Sequence, residues 1–201
     1  MGCGGTLTVK LQWGVPEALH LSVASLIYDS FERQFQYTIG PRQKGISFIA
    51  DSLQSEYGLV AFQQNEFVGI GGAQTDKGEL IQIRFSRWIR TYHIRAMRSF
   101  FIGFPFWYER RESGVLTLTT LSVKETERGK GIGSQIVNEF IRYGSVNGFH
   151  TLKLEVVNSN TRAKALYDRL GFTTRKYTSI PRPWSFFLGF TGIYEMVYPL
   201  G

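Results

Sequence analysis

Cysteine is almost missing from this chain. Cys3 is the only one among 201 residues, so no intrachain disulfide can form and no metal site can be built on thiolates. That usage fits a reducing, cytoplasmic compartment, and no metal is expected. No uncharged apolar run approaches the length of about 18 residues that a membrane-spanning helix needs. The N-terminal segment also lacks a basic start followed by an apolar core, so no secretory leader is expected. Internal repeats and low-complexity stretches are absent. Charged residues make up only 19% of the chain against 43% apolar, which excludes disorder and suits a soluble globular protein. At this length the expectation is one domain spanning residues 1–201.

Acidic residues are scarce in one window in particular. The chain carries +7, from 23 Lys and Arg against 16 Asp and Glu, and between Arg84 and Arg111 seven arginines meet one acid, Glu109, so 7 − 1 = +6 sits there. Basicity this local points to a surface and not to a nucleic-acid coat, so no nucleic-acid partner is expected. Over residues 81–101 the spacing predicts an amphipathic helix. Phe85, Trp88, Ile89, Tyr92, Ala96 and Phe100 fall on one side, and Arg84, Arg87, Arg90, Arg95 and Arg98 on the other. It reads as a helical insert, 81–112, whose role is a lid, a partner face, a membrane-surface helix (the less favoured reading) or an ordinary solvated surface. The N-terminal Met1-Gly2-Cys3-Gly4-Gly5-Thr6 fits a myristoylation pattern, with Cys3 open to palmitoylation; a frayed glycine-rich end is the plainer reading.

The remaining pattern alternates strands and helices. Thr6 to Trp13 reads as a first strand, and Pro16-Glu17 starts a helix carrying Leu19, Val23, Leu26 and Ile27. Past the Gly40-Pro41 break, Ile46, Ile49, Ala50 and Leu53 mark a second helix. Tyr57–Gln63 and Glu66–Ala73 flank Gln64-Asn65 as a hairpin. Val115–Val123 is a strand, and Ile132, Ile136, Val137, Phe140 and Ile141 form a helical stripe. Thr151–Val157 comes next as a strand and Asn160–Leu170 as a helix closed by Gly171. Phe172–Tyr177 and Gly192–Tyr198 are the last strands, separated by a break at Pro181–Trp184. The order predicts an α/β (α+β) fold with at least one parallel crossover.

The chemistry concentrates in Arg128-Gly129-Lys130-Gly131-Ile132-Gly133, between a strand and a helix. Glycines there let a ligand approach the backbone, and a helix N-terminus offers unpaired amides to an anion. A P-loop is excluded because no Gly-Lys-Ser or Gly-Lys-Thr ends the run, and a Rossmann loop because Ile136 stands where the third glycine belongs. A diphosphate-sized cradle remains, with Arg128 and Lys130 supplying charge, beside the plain alternative of a tight turn before a helix.

The neighbouring residues carry a resemblance. Arg128, Gly131 and Gly133, followed by Asn160, Ala163, Leu166-Tyr167 and Gly171-Phe172, resemble the two motifs of the GCN5-related N-acetyltransferase (GNAT) family, which uses acetyl-CoA. The likeness covers residues 114–172. It implies a mixed sheet of about six to seven strands flanked by helices, an acetyl-CoA cosubstrate and an amine acceptor. It also implies that Arg128, Gly129, Lys130, Gly131, Ile132, Gly133 and Ser134 hold the CoA pyrophosphate. Leu121, Ser122 and Val123 would bind pantetheine and the acetyl carbonyl through main chain, and Asn160 would contact the pantetheine arm. Arg162 and Lys164 lie outside the motif and read as solvated charge or as CoA phosphate contacts.

Direct transfer to an amine requires a base and a proton donor. By resemblance Tyr167 is the donor to the leaving sulfur. Glu155, in Leu154-Glu155-Val156, matches the glutamate of the ribosomal-protein N-terminal acetyltransferase branch and is the base. Their plain readings are a core tyrosine and a solvated strand residue. The expected function is an acetyl-CoA-dependent N-acetyltransferase, monomer or homodimer. A catalytically silent CoA-binding module and a membrane-peripheral acyltransferase are the alternatives.

Overall fold

A computed structural model describes residues 9–83, 111–182 and 184–201. Seven strands form one mixed sheet among these residues: β1 (Val9–Trp13), β2 (Gly58–Gln63), β3 (Glu66–Gln74), β4 (Val115–Val123), β5 (Thr151–Val157), β6 (Thr173–Ser179) and β7 (Gly192–Pro199). Their order is β1-β2-β3-β4-β5-β7-β6. Only the central pair, β4 with β5, is parallel. Its crossover is the helix α4 (Ile132–Val146), preceded in the chain by α1 (His20–Ser30), α2 (Glu32–Thr38) and α3 (Arg42–Ser52) and followed by α5 (Thr161–Arg169) and α6 (Trp184–Leu188).

Each element has a cause in its local pattern. The β2–β3 hairpin closes on Gln64 and Asn65, both left-handed at φ 51° and 66°, with Gln63 paired to Glu66. Two successive positive φ values make the primed two-residue turn that matches strand twist. Helix α4 buries Ile132, Ile136, Val137 and Phe140 of the predicted stripe against β3, β4 and β5, and leaves its fifth member, Ile141, half-buried. Glycines in β3 permit that approach: a Cβ on Gly71 would stand 2.7 Å from Ile136 Cγ2 and 2.8 Å from Phe140 Cε2. From the edge, Trp13 packs 4.3 Å from Tyr143 and 5.1 Å from Phe140, and its indole N–H donates to Glu139 (3.2 Å).

The sheet divides the core in two. One cluster joins α4 and α5 to one face through Leu116, Leu152, Leu154, Phe140, Tyr167 and Met196. The other joins α1, α2 and α3 to the opposite face through Ile27, Tyr28, Phe48, Ile49, Val60 and Ile70. At the far end Arg33 and Gln34 of α2 donate to the carbonyls of Phe186 and Leu188 (3.0 and 3.3 Å), tying the last helix to the N-terminal ones.

The structure corrects the pattern at four places. The first helix begins as a short 3₁₀ turn, Glu17–Leu19, before α1. Phe31, at φ −127° and ψ 28°, interrupts the helical run after Ser30 and makes α2 a separate helix, which the sequence does not announce because Glu32–Thr38 offers little apolar periodicity. The break at Pro181–Trp184 leads into α6, and β6 runs on to Ser179. Ile81 bridges to Leu53 in place of opening a helix. The rest of the expected insert helix, and the Gly2/Cys3 pattern, lie outside the described residues.

Gly71→Ala should lower stability by about 1–3 kcal/mol through overpacking against α4. For a chain of this size that is a fall of about 2–4 °C in Tm per kcal/mol, readable by calorimetry; an unchanged Tm would show that α4 can move away freely.

Candidate functional site

The site begins where β4 and β5 separate. Their ladder runs only from Val115–Thr151 to Leu118–Leu154, although β4 continues to Val123 and β5 to Val157. The cause is a bulge: Ala73 faces Leu118 but Gly72 faces Thr120, so Thr119 is the extra residue, its hydroxyl donating to the Gly72 carbonyl (3.2 Å). A bulge bends its strand and ends local pairing. Thr120–Val123 remain on β3, Glu155–Val157 remain on β7, and a wedge opens between them.

Ladder alternation decides which main-chain groups face that wedge. The Lys124 amide donates to Val68 (2.9 Å), so the bonded pairs with β3 are Lys124–Val68, Ser122–Ile70 and Thr120–Gly72. The amides and carbonyls of Leu121 and Val123 therefore point into the wedge, and those of Ser122 toward β3. Arg128 Nε donates to the Val123 carbonyl (3.2 Å) from the wedge side. Ser122 is 2% exposed, and its hydroxyl has no hydrogen-bond partner.

At the wedge's open end stands the glycine loop. A 3₁₀ turn, Glu125–Glu127, leads through Arg128 to Gly129 and Gly131, both at φ +82°. Gly131 is the N-cap of α4, no side chain caps the helix, and its first turn holds no acid. The first intrahelical bond there runs from Gln135 to the Gly131 carbonyl (3.1 Å), which leaves the amides of Ile132, Gly133 and Ser134 without intrahelical acceptors. A Cβ on Gly131 would meet nothing within 4 Å. The backbone there is open, and its left-handed φ excludes most side chains. Lys130 is paired with Glu127 (2.9 Å).

Helix α5 supplies the opposite wall. Asn160 caps it, its Oδ1 accepting from the Ala163 amide (3.1 Å). At the other end Gly171, at φ +92°, closes it in a Schellman motif: the Phe172 amide donates to the Tyr167 carbonyl (3.0 Å) and the Gly171 amide to Asp168 (3.1 Å). The accompanying hydrophobic contact is Phe172 on Tyr167, 5.8 Å between ring centroids. Tyr167 is thereby locked into the core, and burial pushes its phenol up to about 12.

Glu155 lies on the β5 border of the wedge. It is exposed, is the first β5 residue beyond the last β4 pair, and sits directly opposite Glu195 on β7. Its face carries a charge network that no single-strand pattern exposes. Buried Lys153 lies 3.4 Å from Glu112, Arg175 lies 3.8 Å from the same oxygen, and Arg175 Nε donates to Glu195 at 2.6 Å. The Arg175 hydrogen bond holds the Glu195 carboxyl below the usual range, with Lys153 and Lys176 adding to it. The sheet order β5-β7-β6 creates this cluster, so only knowledge of that order could have found it. Among the described residues no group of three or more His, Cys, Asp or Glu could hold a metal, and no helix is long and apolar enough to cross a membrane.

Comparison with known proteins identifies the family and the fold. The model of the acetyltransferase (GNAT) family matches residues 24–172. The chain belongs to the GNAT family. Other GNAT structures share its fold. An N-acetyltransferase of Staphylococcus aureus Mu50 superposes with a TM-score of 0.70 at 12% identity, covering 94% of this chain and 100% of that one. The ribosomal-protein-S18-alanine N-acetyltransferase of Escherichia coli superposes with a TM-score of 0.57 at 17% identity, covering 96% and 95%. Among curated relatives the "Uncharacterized N-acetyltransferase YobR" of Bacillus subtilis (strain 168) is 34% identical over 56 residues, 28% of this chain. That match spans 23% of the relative's length.

Because the folded phenol of Tyr167 holds its proton to about 12 while an unfolded one releases it near 10, its contribution to stability is complete below pH 10 and lost as pH rises from 10 through 12. Denaturant titrations at pH 9 and pH 11.5 should show that fall in the unaltered chain and a smaller one in Tyr167→Phe.

Proposed function

We propose that this GNAT protein is an acetyl-CoA-dependent N-acetyltransferase that passes the acetyl group directly to a primary amine of a small molecule or peptide. The observation that carries the reading is one juxtaposition. The uncapped, acid-free N-terminus of α4 with open backbone at Gly131 adjoins a wedge lined by the main chain of Leu121 and Val123. The first feature suits a diphosphate, since helix N-terminal amides and dipole favour anions. The second suits an extended arm carrying amides of its own, which can complete the interrupted ladder. These residues fit CoA.

In this reading the amides from Arg128 to Ser134 hold the diphosphate. Leu121 and Val123 bind the pantetheine arm, with Ser122 between them, and the amide nitrogen of Asn160 remains available to the arm because only its oxygen serves as the cap. Arg128 Nε holds the Val123 carbonyl, so the Val123 amide and the main chain of Leu121 are the groups offered to the arm. When bound, acetyl-CoA supplies an acetyl group activated as a thioester. Glu155 takes the proton from the incoming ammonium so that the amine attacks neutral. Tyr167 presents its O–H to the sulfur as negative charge develops there. A phenol near 12 is a weak acid toward a thiolate near 8.5, so its contribution is a hydrogen bond to developing charge more than a completed proton transfer.

A mass-shift screen of amines and peptides with acetyl-CoA tests the activity and identifies the acceptor. Tyr167→Phe should lower kcat by about 10²-fold or more and leave acetyl-CoA affinity as it was; an unaltered kcat from pH 6 to 9 would remove Tyr167 from the chemistry. Gly131→Val should abolish CoA binding, since a β-branched residue resists φ +82° and fills the cradle; normal affinity by calorimetry would refute the cradle.

A further inference from the structure

Three cationic side chains surround the glycine loop, and they are not equivalent. Arg128 folds back onto the Val123 carbonyl. Lys130 is held by Glu127 three residues earlier, so an anion that recruited it would also approach the Glu127 carboxylate. Arg162 arrives from the other wall, as the second residue of α5. A Cβ built on Gly129 would stand 3.6 Å from Arg162 Nη2. Arg162 forms no hydrogen bond or ion pair among the described residues, whereas Lys164, on the same helix, is engaged by Asp168 (2.9 Å). Position is maintained from below: Leu166 Cδ2 of α5 stands 3.6 Å from where a Cβ on Gly133 would be, so α5 packs against the first turn of α4.

We propose that Arg162, outside the family motif, is the cation that grips the CoA diphosphate. This rests on the reading of the loop as a CoA site. The α4 amides donate at the end of the loop, and the guanidinium lies beside the loop at Gly129, its Nη2 3.6 Å from where a Cβ there would stand. A guanidinium presents paired N–H donors to two phosphate oxygens and need not leave another partner to do so. Lys130, a single ammonium already paired, is the poorer candidate.

Calorimetry on the full chain with CoA and with 3′-dephospho-CoA provides the test. Arg162→Ala should weaken both ligands by about tenfold and by the same factor, with Arg162→Lys recovering part of the loss and Lys130→Ala costing under about threefold. Far-UV circular dichroism should be unchanged, since the side chain is exposed. Equal affinities for the unaltered chain and Arg162→Ala overturn the inference and leave the donor reading intact. A loss confined to CoA assigns the guanidinium to the 3′-phosphate and overturns the diphosphate contact. Failure of the unaltered chain to bind CoA refutes the donor reading and this inference with it.

Discussion

The parting of β4 from β5 after Leu118 and Leu154 is the constraint on which the site depends, because it breaks a rule the rest of the sheet obeys. Central strands satisfy both edges, and an unmet backbone group in a dry interior costs about 1–3 kcal/mol. Here Leu121 and Val123 keep amides and carbonyls directed at no strand. That is tolerable only because the opening is reachable by solvent or ligand. The bulge at Thr119 places the break, β7 keeps the far half of β5 paired, and β3 does the same for β4. With both strands supported from outside, the wedge can stay open in a rigid sheet.

The helices convert this opening into a site with fixed dimensions. Ile132 and Phe140, fully buried, fix α4 on the sheet, and its N-terminus has to fall at the wedge's end. Helix α5 is fixed at both ends by different devices, the Asn160 cap and the Schellman motif at Gly171. The second sets the ring of Tyr167 through Phe172. Residues that look like a catalytic signature, Leu166-Tyr167 and Gly171-Phe172, thus have a structural reason for their spacing: a helix ending this way buries its third-last residue against the residue after the glycine.

Most of the fold is legible in the sequence because its elements carry periodic or turn signals of their own. The β2–β3 hairpin, the α4 stripe and the α5 boundaries come from local pattern, and the loop's glycines from the positive φ they adopt. The elements that escape have no local signal. Helix α2 has few apolar residues to repeat, and α6 is a single short stretch after prolines. The bulge at Thr119 is a property of the pairing with Gly72 and Ala73, invisible in β4 alone. Likewise Glu195, Arg175 and Glu112 meet beside Glu155 only because β7 inserts between β5 and β6. In the sequence Arg162, like Lys164, reads as solvated charge or as a CoA phosphate contact, and the proximity of Gly129 is what separates it from the other basic residues of its helix.

Magnitudes rank these parts. A general acid or base supplies about 10²- to 10⁴-fold in rate, roughly 3–5 kcal/mol, whereas holding two reactants in register can supply about 7–11 kcal/mol. In this chain the positioning elements are main-chain groups on strand, loop and helix, set by buried contacts, while the proton-handling candidates are one exposed carboxylate and one phenol kept neutral by burial. On the proposed function the larger share of catalysis therefore belongs to the wedge and the α4 N-terminus. In the proposed function, side-chain changes at Glu155 or Tyr167 act on the smaller share.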